Sequence, residues 1–181
     1  MNYDRLYRSQ EPSQIAITQA DVREHLMISD QSQDRYIMSL IDAATAMIDG
    51  PHGIGIALMM QSYELALDQL PAGSFKLPIY PIRSVASISW TDSTGQSHVE
   101  TNLRVVRQTG TVYHSLRNID AQPGSIVVSF SAGHDIIPAD LRHALLMLVG
   151  HLYENREATA TVKLEKVPLA VETILNRYRV T

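Results

Sequence analysis

The chain has 181 residues, of which 45% are hydrophobic and 19% charged, a composition typical of a globular protein long enough to bury a core. It contains no cysteine, which excludes disulfides, thiolate metal ligands and thiol nucleophiles. Its formal net charge of −4 argues against a protein whose main work is to grip nucleic acid. The longest apolar runs are too short for a membrane span, so we expect no membrane association.

The first fifty residues predict an arm followed by two helices. Residues 1–16 are polar, contain Pro12 and have no periodicity, which predicts a flexible N-terminal arm. Thr18 and Asp21 have the spacing of a capping box and predict a short helix. A second helix, ended by Gly50-Pro51, is predicted by an apolar stripe at Ile37, Leu40, Ile41, Ala44 and Ile48.

A β-rich segment follows, from about residue 56 to 133. Tyr63, Leu65 and Leu67 alternate with their neighbours as in a half-buried strand. The phrase Asp92-Ser93-Thr94-Gly95 is typical of a hairpin turn. Further strands are predicted around 103–106, 111–114 and 125–130.

Two helices are predicted after the strands. Pro138 can open a long helix, because its missing N–H would be unpaired there in any case. The apolar stripe of this helix is Leu141, Ala144, Leu145, Leu148, Val149 and Leu152. Pro168 opens a final helix that carries Leu169, Ile174, Leu175 and Tyr178. The predicted fold is therefore α+β: residues 17–181 form one domain, with two N-terminal and two C-terminal helices around an inserted antiparallel β-rich segment.

Catalytic and metal sites receive little support from the sequence. His143 and His151 are eight residues apart on one helix, too far to share a metal without a third element. Ser131, His134 and Asp135 are the residue types of a hydrolase triad, but triads combine separate segments, and a loop after a strand explains these neighbours better. We expect no metal and no cofactor.

The ends of the last two helices are the candidate interface. The long helix ends in Tyr153-Glu154-Asn155-Arg156-Glu157. Two interpretations stay open for Tyr153, Arg156 and Glu157: a solvated helix end with local ion pairs of about 0.3–0.5 kcal/mol each, or an intersubunit anchor built from Tyr and Arg. The same choice applies to Arg177, Tyr178 and Arg179 at the end of the final helix, a segment that we expect to be mobile until a partner binds it.

Six phrases in order resemble one known family, the head–tail connector (adaptor) proteins of tailed phages, which also occur in gene transfer agents and prophages. These phrases are Thr18–Leu26, Ala43–Ile48, Leu77–Val85 with Asp92–Gly95, Ser131–His134, the Tyr153–Glu157 helix end, and Pro168 with Arg177–Arg179. The resemblance covers about residues 17–180 and is weakest between 96 and 124.

The resemblance implies a structural, non-enzymatic subunit. Proteins of this type form a ring, commonly of twelve copies, beneath the capsid portal, and they receive the stopper or tail-completion protein below. Double-stranded DNA passes through the ring without specific binding. The resemblance further implies a place at the head–tail junction of a virion or virus-like particle assembled in a bacterial cytoplasm. It implies that the Tyr153–Glu157 and Arg177–Arg179 ends contact a neighbouring subunit or the portal.

Two other functions are compatible with parts of the sequence. A small hydrolase would use His134 and Asp135, although no nucleophile motif accompanies them. A ring-forming DNA-packaging subunit would share the helices, but the β-rich middle and the acidic N-terminal part count against it. Residues 1–70 carry ten acidic and four basic side chains.

Overall fold

The computed structural model describes residues 5–155 and 168–179, and its fold is α+β, which confirms the predicted class. The helices are α1 (Gln19–Leu26), α2 (Asp34–Ile48), α3 (Ala139–Glu154) and α4 (Leu169–Asn176). The strands are β1 (Leu6–Gln10), β2 (Gln61–Leu67), β3 (Ser74–Lys76), β4 (Ile82–Thr91), β5 (Ser97–Glu100), β6 (Arg104–Val106), β7 (Thr111–Tyr113) and β8 (Ile126–Ala132).

These elements form two compact units, and each unit is built from two separate stretches of chain. Among the described residues, the β unit comprises 5–14 and Met59–Asp135, and the helical unit comprises Ile15–Leu58, 136–155 and 168–179. The β segment therefore interrupts the helical unit between α2 and α3. Its bounds lie within a few residues of the insertion that we predicted over 56–133.

The helical unit has a core to which all four helices contribute. The capping box of α1 has the predicted geometry: the Asp21 N–H donates to Thr18 Oγ1 at 3.1 Å, and the Thr18 N–H donates to Asp21 Oδ2 at 2.8 Å. The core residues are apolar and at most 9% exposed, and include Val22, Ile37, Leu40, Ala44, Ile48, Leu141, Ala144, Leu145, Leu148, Val149, Val171 and Leu175. Of the stripe predicted on α3, Leu152 alone is only partly buried.

The final helix packs differently from the prediction. Val171 and Leu175, one turn apart, face the core, whereas Leu169 is 78% exposed. The helical period explains this, since positions i and i+4 share a face and Leu169 lies off it. Residues Leu169–Asn176 pack against α3 within the same unit. The expectation that this segment is mobile until a partner binds it stays a prediction.

The β unit contains two antiparallel sheets. The larger has the strand order β1-β2-β8-β4-β5, and the smaller has the order β3-β7-β6. Alternate residues of β8 are buried, and so are those of β2 up to Leu65, as the period of a strand requires. Tyr63 stacks on Phe130 across the two strands, with ring centroids 5.5 Å apart.

The predicted flexible arm is partly wrong. Leu6–Gln10 form strand β1, which pairs antiparallel with β2 so that Leu6 lies opposite Leu65. Leu6 is buried, and the strand pairs along the sheet edge through backbone hydrogen bonds, which a polar sequence can make as well as an apolar one.

The β4–β5 hairpin has the predicted turn. Asp92 accepts hydrogen bonds from the N–H groups of Thr94 and Gln96, each at 2.9 Å, and Gly95 adopts a φ of 87°. Hydrogen bonding to the His98 side chain, followed by that to Thr94 and Gln96, holds the pKa of Asp92 far below its ordinary value. The charged Asp92 carboxylate therefore accepts several hydrogen bonds that fix the conformation of the hairpin turn.

Within the ranges 5–155 and 168–179, no helix is both long and apolar enough to cross a bilayer.

Candidate functional site

Tyr153, at the end of α3, is hydrogen-bonded inside the helical unit. Its hydroxyl donates to Gln33 Oε1 at 2.9 Å, and its ring lies 6.0 Å from the ring of Tyr36. Gln33 precedes the first residue of α2, so the contact ties the end of α3 to the start of α2. The side chain that we predicted as an intersubunit anchor thus has an internal structural role, and its contact with a partner stays a prediction.

The neighbouring residues Arg156 and Glu157 lie outside the described residues. The last described residue before them is Asn155, whose side-chain amide donates to the His151 carbonyl at 2.8 Å and closes the helix. The proposed roles of Arg156 and Glu157 are therefore predictions that rest on the sequence.

The end of α4 is tied to the start of α3 through Asp140. The Tyr178 hydroxyl donates to Asp140 Oδ1 at 2.7 Å, and Arg177 pairs with Asp140 Oδ2 at 3.2 Å. The hydrogen bond from Tyr178 is the main cause that lowers the pKa of Asp140, and burial followed by this bond raises the pKa of Tyr178 to about 12. Arg179 is exposed, and the Arg177 side chain is still 63% exposed. This end therefore combines an internal clamp with cations available at the surface.

The histidines that we considered as metal ligands have other neighbours. The His143 ring meets the His25 ring edge-on at 6.3 Å, and His151 contacts Asn155. Within the described parts of the chain, no group of three or more His, Asp or Glu side chains is placed to hold a metal ion.

The residues at the end of β8 that we considered as a hydrolase triad have structural roles. The hydroxyls of Ser131 and Ser84 are 2.8 Å apart across the β4–β8 pair, and Asp135 forms an ion pair with Arg83. Gly133 adopts a φ of +116°, and a Cβ there would lie 2.1 Å from the Met59 carbonyl oxygen. The glycine of the Ser131–His134 phrase is thus explained by the close packing of two backbones.

One group of functional candidates, the cations of the small sheet, was not predicted from the sequence. Lys76 on β3 and Arg104 on β6 are exposed, and so is Arg107 directly after β6. The Arg104 guanidinium lies 5.2 Å from the centroid of the Tyr113 ring. A signal was present: from Thr101 to Ile119 the sequence has three arginines and no acidic residue.

Comparisons with known proteins agree with this architecture. Residues 15–181 match the model of a family described as head completion protein. No curated protein matches the chain.

Solved structures of gene transfer agent (GTA) particles contain chains of the same fold. A chain in the virion of the native GTA particle has a TM-score of 0.76 and 24% identity, covering 97% of this chain and 95% of that chain. A chain in the neck of the empty particle, computed with C6 symmetry, has the same values. A chain in the neck of the native particle, computed with C12 symmetry, has a TM-score of 0.71 and 22% identity over the same shares. At these identities the likeness establishes the fold.

Proposed function

The chain belongs to the head completion protein family, and we propose that it acts as a ring-forming connector between the capsid portal and the stopper or tail-completion protein. The family match confirms the resemblance seen in the sequence. The role of the family is structural rather than enzymatic and lies at the head–tail junction of a particle. The observation that carries the proposal is the match over residues 15–181, which includes the helical unit and the Met59–Asp135 stretch of the β unit.

Ring formation is supported by the chains of similar fold. Those chains belong to necks computed with C12 and C6 symmetry. A ring needs a head-to-tail contact in which two different patches of each copy meet and the rotation closes. If this protein assembles as in the neck computed with C12 symmetry, its ring contains twelve copies.

The ends of α3 and α4 are the proposed contact surface. Tyr153 and Tyr178 hold the helix ends through internal hydrogen bonds, so their part would be to fix the geometry of the surface. Arg179 would then be available to a neighbouring copy or to the portal, with Arg177 shared between Asp140 and the partner. Arg156 and Glu157, which lie outside the described residues, are proposed as further contacts from the sequence alone. Charged side chains of this kind give specificity and orientation more than raw affinity.

The test is incorporation into particles together with imaging. Electron microscopy of the purified chain, alone and mixed with portal, is expected to show rings with a central hole. Arg179→Glu and Arg156→Glu are expected to leave a folded subunit that no longer enters particles. Arg35→Glu, at an exposed position on α2, is the matched control and should enter normally.

Two results would contradict the proposal at different levels. Absence of the wild-type chain from purified particles would contradict the connector role itself. Normal incorporation of both charge-reversed variants would leave the connector role standing and move the contact surface away from these helix ends.

A further inference from the structure

The cations of the β unit fall into two groups. The described part of this unit has seven Lys and Arg side chains. Arg5 pairs with Asp68, Arg8 with Glu11, and Arg83 with Asp135. The other four, none of which forms an ion pair with a carboxylate of the described residues, are Lys76, Arg104, Arg107 and Arg117. Three of these four belong to the small sheet: Lys76 on β3, Arg104 on β6, and Arg107 in the turn between β6 and β7.

Strand register places these side chains on a common face. Arg104 lies opposite Tyr113, which lies opposite Ser74, and Lys76 lies opposite Thr111. Directly paired residues share a face, and residues two apart along a strand do as well, so Lys76, Arg104 and Tyr113 lie on one side. The other side carries Phe75 and Val112, which are buried. We call the first side the outer face of the small sheet.

The outer face is exposed and cationic. Tyr113 is 42% exposed and holds the Arg104 guanidinium over its ring, which leaves the N–H edge of the arginine free to donate. Lys76 and Arg104 are separated by two strand spacings and two residues, or roughly 12 Å between their Cα atoms. Arg107 is exposed in the turn directly after β6, at the same end of the sheet as Lys76.

We propose that the outer face of the small sheet contacts the phosphate backbone of double-stranded DNA without reading its sequence. The inference rests on the proposed function and on the expectation, implied by the sequence resemblance, that double-stranded DNA passes through the ring, and it names the surface that would meet the DNA. The charge density favours this partner, because each DNA strand presents a phosphate every 3.4 Å along the axis. A span of roughly 12 Å therefore meets about three phosphates, one for each of Lys76, Arg104 and Arg107.

The contact is weak for each copy. The chain as a whole has a net charge of −4, and only three cations face the polyanion. Phosphate contacts of this type are sequence-independent and allow a protein to slide along DNA. Repeated around a ring, such contacts attract the DNA electrostatically without holding it at one position.

Salt dependence of DNA binding by the full-length chain tests the proposal. Anisotropy of a labelled duplex of about 25 base pairs is measured between 50 and 200 mM salt. Three phosphate contacts give a slope of about −2.7 in log K against log salt, so wild-type affinity falls about 40-fold over this range. Arg104→Gln with Arg107→Gln leaves one contact, and affinity then falls only about three- to fourfold.

A matched variant controls for the loss of two charges. Arg5→Gln with Arg35→Gln removes the same charge from outside the outer face and is expected to keep the 40-fold salt effect. Equal slopes for the two double variants would overturn the proposal, and so would absence of wild-type binding at 50 mM salt.

Incorporation into particles separates this inference from the connector role. If the Arg104→Gln, Arg107→Gln chain binds DNA like wild type but is excluded from particles, the outer face docks an acidic protein surface and the DNA proposal fails. If the wild-type chain is absent from particles, the connector role fails, whatever the salt slope shows.

Discussion

The ends of the last two helices and the outer face of the small sheet both carry arginine and tyrosine, but the molecule uses them differently. At the helix ends, Tyr153 is bonded to Gln33, and Tyr178 and Arg177 share Asp140. On the small sheet, Arg104 contacts Tyr113, and no carboxylate in the described ranges pairs with it.

This difference shows that residue type does not by itself identify a contact surface. Tyr and Arg dominate interfaces, but they are equally suited to bridging helices within one chain. What separates the two regions is whether hydrogen bonds and charges are already satisfied internally. Where a side chain is already bonded within the chain, mutating it is expected to lower the free energy of unfolding. Where it is not, mutating it is expected to weaken binding to a partner and leave stability unchanged.

The largest expected effect concerns the core that the helix ends cover. Leu145→Ala is expected to lower the free energy of unfolding by about 2–5 kcal/mol, because Leu145 is fully buried between the helices. Leu169→Ala is the control, since its exposed side chain should change stability by less than about 0.5 kcal/mol. Chemical denaturation measures both, and similar small losses for the two would remove α3 from the core.

A smaller effect is expected at the clamp between α4 and α3. Tyr178→Phe removes a hydrogen bond to a carboxylate and should cost about 1–2 kcal/mol near neutral pH. Tyr113→Phe is the matched change on the small sheet and should cost less than about 0.5 kcal/mol. Equal losses at the two positions would break the distinction between the two regions.

The same clamp gives a pH dependence with a defined sign. The pKa of Asp140 is lower in the folded chain than its ordinary value near 3.8, so its contribution is complete above that value and is lost as pH falls below it. The pKa of Tyr178 is raised to about 12, so its contribution is complete below pH 10 and is lost as pH rises from about 10 to 12. Unfolding measured against pH should show both slopes flattened in Tyr178→Phe. Unchanged slopes in that variant would mean that other groups cause them.

The smallest expected effect compares two arginines directly. Arg23 donates to both carboxylate oxygens of Asp34, at 3.0 and 3.1 Å, so Arg23→Gln should cost about 0.5–1 kcal/mol. Arg104→Gln should change the free energy of unfolding by less than about 0.5 kcal/mol. Thermal unfolding at low and high salt checks both, since only the Arg23 variant should lose its salt sensitivity. A larger cost at Arg104 would show that its contact with Tyr113 is chiefly structural.

Local patterns in the sequence predicted much of the fold. The stripes of α2 and α3, the Thr18 capping box and the Asp92 turn depend on residues a few positions apart, and each has the expected geometry. Strand β1 was missed because an edge strand pairs through backbone groups that any residue supplies.

The candidate site was harder to predict because its contacts are distant in sequence. Tyr178 and Asp140 are 38 residues apart, and Tyr153 and Gln33 are 120 apart, so no local pattern reveals their bonds. Likewise, Lys76 and Arg104 share a face only because β7 pairs with both β3 and β6. Strand pairing, which periodicity does not specify, decides that arrangement.

The alternation of the two units along the chain has a consequence for synthesis on the ribosome. The β unit is complete once residue 135 has emerged, because its earlier stretch is already made. Helices α1 and α2 emerge before it but must wait, with Val22 and Ile37 uncovered, until α3 supplies Leu141 and Leu145. The nascent chain therefore has a complete β unit and an uncovered apolar face on α1 and α2 at the same time. During that interval it is most exposed to chaperones, to proteases and to other unfinished copies.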